Sequence, residues 1–177
     1  SALRQRVVVK VSFRKQLAGG GTGGGKLSAH ASYLERDGAA REGEQGRFYD
    51  RTEDEVESAR EQLRDWAEND KRHFRVMLAP ESGARLIEED GDLKGYTREV
   101  MARMERDLGV QLDWVAVDHH NTDNPHAHVI IRGVRRDGVD LVLPRDYVAH
   151  GLREAARDVA TDRLGEQHVQ RPGRLLA

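Results

Sequence analysis

Asp118-His119-His120-Asn121-Thr122-Asp123-Asn124-Pro125-His126-Ala127-His128 sets four histidines around a turn. The run before it, Leu112 to Val117, is rich in strand formers, and so is Val129-Ile130-Ile131 after it. Between the runs, Asn121 to Pro125 is a cluster of turn residues whose proline stops either strand from running through. The pattern predicts a β-hairpin with a polar loop. Side chains alternate across a strand, so His126 and His128 project from one face. His119, at the end of the partner strand, reaches that face from across the hairpin. Three imidazoles beside a solvent-facing loop describe an open metal site, with three protein ligands and room for a substrate. A lone His-x-His is ordinary strand composition; the third histidine, seven residues earlier across a turn, favours the metal site.

Outward from the hairpin, strands alternate with amphipathic helices. Val7, Val9, Val11 and Phe13 alternate with Val8, Lys10 and Ser12, the period of a half-buried strand. After a glycine-rich loop at residues 19–26, Ser28 is placed to cap a helix through about Arg36, stopped by Asp37-Gly38. His30, Tyr33 and Leu34, three and four apart, share a face of that helix. A tyrosine there is either a core aromatic with its hydroxyl at the rim or a nucleophile for phosphorus, and position alone does not choose. Thr52-Glu53-Asp54-Glu55 fits a capping box opening a helix to about Asn69, with Trp66 on its apolar side. His73 to Ala79 reads as a second strand, and Leu93, Tyr96, Val100, Met104 and Leu108 mark a helix ending at Gly109. Past the histidines, Asp137-Gly138 leads into Val139 to Leu143 as a second hairpin, and a helix from about Arg145 to Leu164 follows. This order predicts an α+β fold: a largely antiparallel five-stranded sheet with helices packed on it. One domain is expected over residues 1–177, with an irregular tail over 165–177.

Composition narrows the function. A chain of 177 residues, 37% hydrophobic, suits one core. The formal charge of −2 excludes a general nucleic-acid coat but leaves room for a local basic groove. Without cysteine, any metal must be held by nitrogen and oxygen. No apolar run approaches membrane-spanning length and the N-terminus lacks a signal-peptide core, so no membrane insertion is expected and the cytoplasm is the expected compartment. The start at Ser1 and the end in Arg171-Pro172-Gly173-Arg174-Leu175-Leu176-Ala177 are what the N-terminal part of a longer protein would show.

His119, the step to Pro125-His126-Ala127-His128 and the apolar Val129-Ile130-Ile131 resemble the third motif of relaxases. These are the mobilisation endonucleases of the HUH superfamily, which nick one DNA strand at a plasmid transfer origin. Tyr33-Leu34-Glu35-Arg36-Asp37-Gly38 resembles their first motif, and His73-Phe74-Arg75-Val76-Met77-Leu78-Ala79-Pro80-Glu81 their second. The three stand in the family's order over roughly residues 7 to 165, with most likeness to the P-type mobilisation group. Two positions depart from the pattern: Asn121 stands where many relatives carry an acid, and Ala79 where relatives often carry a DNA-contacting serine.

The resemblance implies that Tyr33 attacks a phosphodiester, giving a 5′-phosphotyrosyl link and a free 3′-hydroxyl, with His30 as the alternative nucleophile. It implies a divalent ion on His119, His126 and His128: magnesium or manganese in use, while nitrogen ligands also suit zinc, nickel or cobalt. Asp118, Asn121 and Asp123 are the candidates for orienting a ligand imidazole, and Arg36, Arg132, Arg135 and Arg136 for contacting the DNA backbone. The implied partners are single-stranded DNA at a transfer origin and other transfer or accessory proteins. The implied setting is a bacterial cytoplasm, with passage into a recipient cell on the DNA. Three alternatives remain open: a rolling-circle replication initiator (whose histidine motif typically precedes its tyrosine), a non-catalytic single-strand-binding domain, and a metal-dependent hydrolytic nuclease.

Overall fold

The computed structural model describes residues 3–16, 27, 29–35, 46–120 and 122–167. Within them β1 (Val7–Lys15), β2 (Arg72–Pro80), β3 (Trp114–His119) and β4 (His126–Arg132) form one antiparallel sheet in the order β1-β2-β4-β3. The histidine hairpin is therefore β3–β4, and β4 is held from both sides. Helix α1 covers Leu27 and residues 29–35, followed by α2 (Ala59–Asn69), α3 (Gly83–Asp90), α4 (Lys94–Leu108) and α5 (Leu152–Leu164). A turn of π-helix, Tyr147–Gly151, leads into α5.

Ladder parity sorts the sheet residues onto two faces. Phe74, Val76, Leu78, Trp114, Ala116, Ala127, Val129 and Ile131 pack with residues of α4 and α5, among them Tyr96, Val100, Met104, Ala156 and Val159. Val115, Val117 and Ile130 point the other way, against Leu27, Ala31 and Leu34 of α1 and Leu63, Trp66 and Ala67 of α2. Covered on both faces, all six residues of β3 are buried. The three histidines belong to the α1/α2 face, at the end of the sheet where that cover stops.

Among the described residues the sheet has four strands, not the five expected from the sequence. Val139 to Leu143 makes a single bridge, Val134 to Asp140, rather than a ladder. Val139 and Val142 are 51% and 71% exposed, so pairing would bury little, and Pro144 has no N–H to extend it. The outer edge of β3 is met instead by Tyr49, whose backbone N–H and C=O each bond Ala116 at 2.8 Å. Phe48 and Tyr49 are both buried.

The α2 helix begins at Ala59, later than the expected capping box. Asp50 Oδ1 accepts the backbone N–H groups of Thr52 and Glu53, and Val56 N–H donates to Phe48 O, so this segment folds back on itself first. Leu27 is already helical, which starts α1 ahead of Ser28; Ser28 itself and the expected stop at residues 36–38 lie outside the described residues. Gly109 ends α4 as read, with φ at 67°. The α3 helix went unread, although Leu86 and Ile87 bury its inner side.

Candidate metal centre

In the β3–β4 register His119 lies directly opposite His126, and His128 follows two residues on along the same face. The ring centroids stand 5.0 Å (His119–His126), 4.6 Å (His119–His128) and 4.8 Å (His126–His128) apart. One nitrogen from each ring falls within 4.8 Å of the others, and no carboxylate joins the group among the described residues.

The loop sets the tautomer of His126. Asn124 precedes a proline, which holds it out of the helical region and fixes its carbonyl. That carbonyl accepts the Thr122 hydroxyl at 2.8 Å and His126 Nδ1–H at 2.9 Å. The lone pair of His126 is then on Nε2, which faces His128 Nε2 at 3.1 Å. Two ring nitrogens on one ion at about 2.0–2.1 Å from each stand about 3 Å apart, so the pair fits a cation. His119 Nε2 lies 3.3 Å from the Leu34 carbonyl of α1, tying that helix to the centre. Burial, then crowding by His119, His126 and His30, pushes the His128 pKa down to about 3, so this imidazole is neutral and offers its lone pair. The start of α3 is pressed against the loop: a Cβ on Gly83 would meet the Pro125 carbonyl at 2.9 Å, and only glycine leaves that room.

Tyr33 is 49% exposed on α1. At about 100° per residue it lies about 60° further round the helix than His30, on the same flank. His30 lines a hollow of about 320 Å³ next to His128, together with Lys10, Arg14 and Arg75. Arg75 Nε–H donates to His73 Nε2 at 3.0 Å, and neither Arg75, Arg14 nor Lys10 meets a carboxylate among the described residues. Burial, then Arg14, lowers the Arg75 pKa to about 10. Burial, then Arg75 and Arg14, pushes His30 down to about 4. Cationic groups packed together with no carboxylate partner among the described residues are suited to binding an anion. The alternation Lys10-Ser12-Arg14, and His73-Arg75 inside an apolar strand, were the signals for this strip in the sequence.

Of the arginines expected to touch DNA, Arg132 makes a bidentate pair with Asp70 (2.9 and 3.2 Å), Arg136 pairs with Asp113 (3.1 Å) and Arg135 with Asp137. Arg132 is six residues along β4 from His126, roughly 20 Å at the strand rise. The structure does not bring these three to the centre. Arg36 and Asn121 lie outside the described residues. Asp118 turns to the opposite face, where it accepts from Tyr49 OH (2.6 Å) and the Leu93 backbone N–H (3.1 Å), with His120 Nε2 at 3.4 Å; these partners do not include the three clustered histidines. Asp123 is an exposed loop residue beside His126.

Two expected outcomes follow from the basic strip. Replacing Arg75 with methionine removes a half-buried charge but leaves the buried His73 Nε2 without its donor, two opposed effects of about 1 kcal/mol each, so Tm should change by no more than roughly 2–4 °C. It should also weaken single-stranded DNA binding about tenfold and flatten the salt slope by about 0.7, as read by fluorescence anisotropy. The second concerns His73, whose Nδ1–H donates to Gln16 Oε1 at 2.8 Å while Nε2 accepts from Arg75. Its folded pKa of about 3, set by burial, then Arg75, His30 and Arg14, lies below the unfolded 6.5. Between those values the unfolded chain binds more protons, so stability falls as pH drops through that window, by up to about 1.4 kcal/mol per unit. Urea denaturation at pH 7, 6 and 5 should show this slope, reduced in His73→Gln; equal slopes would discount the histidine.

A family model described as "Relaxase: MobA/VirD2-like, nuclease domain" matches residues 33–163, well over half of the chain. Among curated proteins, none matches.

Proposed function

Since this chain belongs to the MobA/VirD2-like relaxases, enzymes that nick DNA, we propose that it opens and reseals one strand at a transfer origin through a 5′-phosphotyrosyl link on Tyr33. The observation that carries the reading is the convergence of three histidines beneath α1, with Leu34, the neighbour of Tyr33, in contact with His119.

His119, His126 and His128 would hold a divalent ion, whose charge offsets that building on phosphate oxygens. As neutral ligands they leave that charge undiminished. Lys10, Arg14 and Arg75 bind the strand on the approach, holding the phosphodiester for in-line attack. Tyr33 Oη forms a bond to phosphorus as the bond to the 3′-oxygen breaks, and its proton is released on the way. Exposure of the phenol suits a group that must accept a DNA strand. We place the reaction in the cytoplasm of a bacterial host, alongside other transfer proteins; no helix among the described residues is long and apolar enough to cross a membrane.

The test incubates the protein and manganese with single-stranded oligonucleotides tiling the DNA beside its gene, followed by denaturing protein electrophoresis. A slower-migrating covalent adduct is the expected result. Cleavage without adduct would mean a metal hydrolase, and binding with neither would mean a DNA-holding domain.

A further inference from the structure

Strand β1 is one edge of the sheet, and its outer side meets no other strand among the described residues. The ladder to β2 fixes which backbone groups point there. Glu81 N–H donates to Arg6 O and Gln16 N–H to Lys71 O, so the even-numbered residues bond β2. The N–H and C=O of Val7, Val9, Val11, Phe13 and Lys15 therefore point outward. Gln5, the residue before them in that series, has its outward groups satisfied by α5. Its N–H donates to Thr161 Oγ1 at 2.9 Å and its C=O accepts from Arg157 Nε–H at 3.3 Å. From Val7 on, no hydrogen bond is made on that side among the described residues. No residue from Val8 to Lys15 is buried, and Phe13, edge-on to Phe74 at 5.6 Å, is 45% exposed. Neither proline nor glycine interrupts the strand, so its edge is open to another.

We infer that β1 pairs antiparallel with β1 of a second copy of this chain, continuing the sheet across a two-fold axis at Val11. That register sets Val9 opposite the second copy's Phe13, and Val7 opposite its Lys15. An aromatic against a β-branched side chain is a favourable cross-strand pair, and here it covers the exposed Phe13 of each copy. On the other face Lys10 comes opposite Ser12 and Arg14 opposite Val8, so no two cations stand directly opposed. The neighbouring registers are worse. An axis at Lys10 opposes Lys10 to itself, and one at Ser12 opposes Lys10 to Arg14. An axis at Val9 sets Phe13 opposite Gln5, whose outward groups are already taken. The axis stands perpendicular to the sheet, so like faces stay together. Both basic strips and both histidine centres then share one side. By strand spacing the centres stand about 24 Å apart, near enough for one single strand of DNA to cross both. Lys10 remains diagonal to its counterpart, so repulsion weakens the bare pair and a bound anionic strand relieves it. Nine residues a side make a small interface, so the association is reversible. The pairing needs no relaxase chemistry; only its promotion by DNA rests on that reading.

The experiment is sedimentation velocity of the whole chain over a micromolar concentration series, with and without oligothymidylate. A reversible monomer–dimer shift is expected, stronger with the oligonucleotide. Two copies could also load on one strand without touching, so contact is read by cross-linking. The chain has no cysteine, and Val11→Cys sets one thiol per copy opposite its counterpart, about 5.5 Å apart at Cα and within disulfide reach. Mild oxidation should link Val11→Cys into a dimer. Val9→Cys, also half-buried, should not link, since its two copies lie about 13 Å apart in this register. Val11→Pro removes an N–H that β2 does not use, and should weaken dimerisation at least about tenfold. Phe13→Lys, which leaves the backbone unchanged, should do the same if the proline variant fails to fold. A monomer under every condition, Val9→Cys linking as fast as Val11→Cys, or an undiminished dimer in Phe13→Lys would overturn the pairing. A dimer that gains nothing from oligothymidylate keeps the pairing and fails only its promotion by DNA.

Discussion

His128→Ala is expected to lower divalent-ion affinity by more than about a hundredfold and to take strand cleavage with it. Losing only a hydrogen-bond partner of a ligand imidazole costs about 10–100-fold, so losing the ligand should cost more. His128 is also the ring that completes the pair: His126 Nε2 faces it at 3.1 Å because Asn124 holds the proton of His126 on Nδ1. Alanine leaves His119 and His126 as two separated donors, too few to strip water from an ion. The readout that does not depend on cleavage is stability. An ion at about a hundred times its dissociation constant adds about 2.7 kcal/mol, which in a chain of this size raises Tm by roughly 5–10 °C. Wild type should show that rise with manganese or cobalt, and His128→Ala should not. The variant's own melt without metal checks that it is folded. Affinity within threefold of wild type would remove the three-histidine centre from the mechanism.

The histidine centre was legible because it depends on two local rules. A strand places alternate residues on one face, and a proline-bounded turn folds the partner strand back over it; His119, His126 and His128 need nothing else. The basic residues were not legible on the same terms. Whether an arginine is free for phosphate depends on what lies beside it in space, and Arg132, Arg135 and Arg136 meet Asp70, Asp137 and Asp113. The Arg132–Asp70 pair spans 62 residues and could not be seen locally. Arg75, isolated in an apolar strand, meets no carboxylate among the described residues, which its sequence neighbours do not reveal. The fifth strand failed for a related reason. Val139 to Leu143 has the composition of a strand, but β3 already has Tyr49 at its edge and Pro144 follows, so the tertiary setting overrode propensity. Asp118 likewise sits next to a metal-site candidate in sequence and faces away from it in the sheet, as alternation requires.

Tyr33→Phe should abolish the covalent adduct, by at least about a thousandfold, while leaving the fold and the manganese-induced rise in Tm intact. The hydroxyl is on a half-exposed ring with no hydrogen-bond partner among the described residues, so its removal should change stability by no more than about 0.5 kcal/mol. A loss of adduct is then a loss of the nucleophile and not of the protein. The competing nucleophile is His30, one helical turn away and held neutral by burial beside Arg75 and Arg14. A neutral imidazole has a lone pair for phosphorus, so neutrality alone does not exclude it. The linkage separates them: a phosphorus–nitrogen bond hydrolyses readily in acid, whereas the tyrosyl ester survives. An acid-stable adduct in wild type, retained in His30→Ala and lost in Tyr33→Phe, assigns the chemistry to the phenol. An acid-labile adduct lost in His30→Ala would move it one turn back along α1, with the histidine centre unchanged.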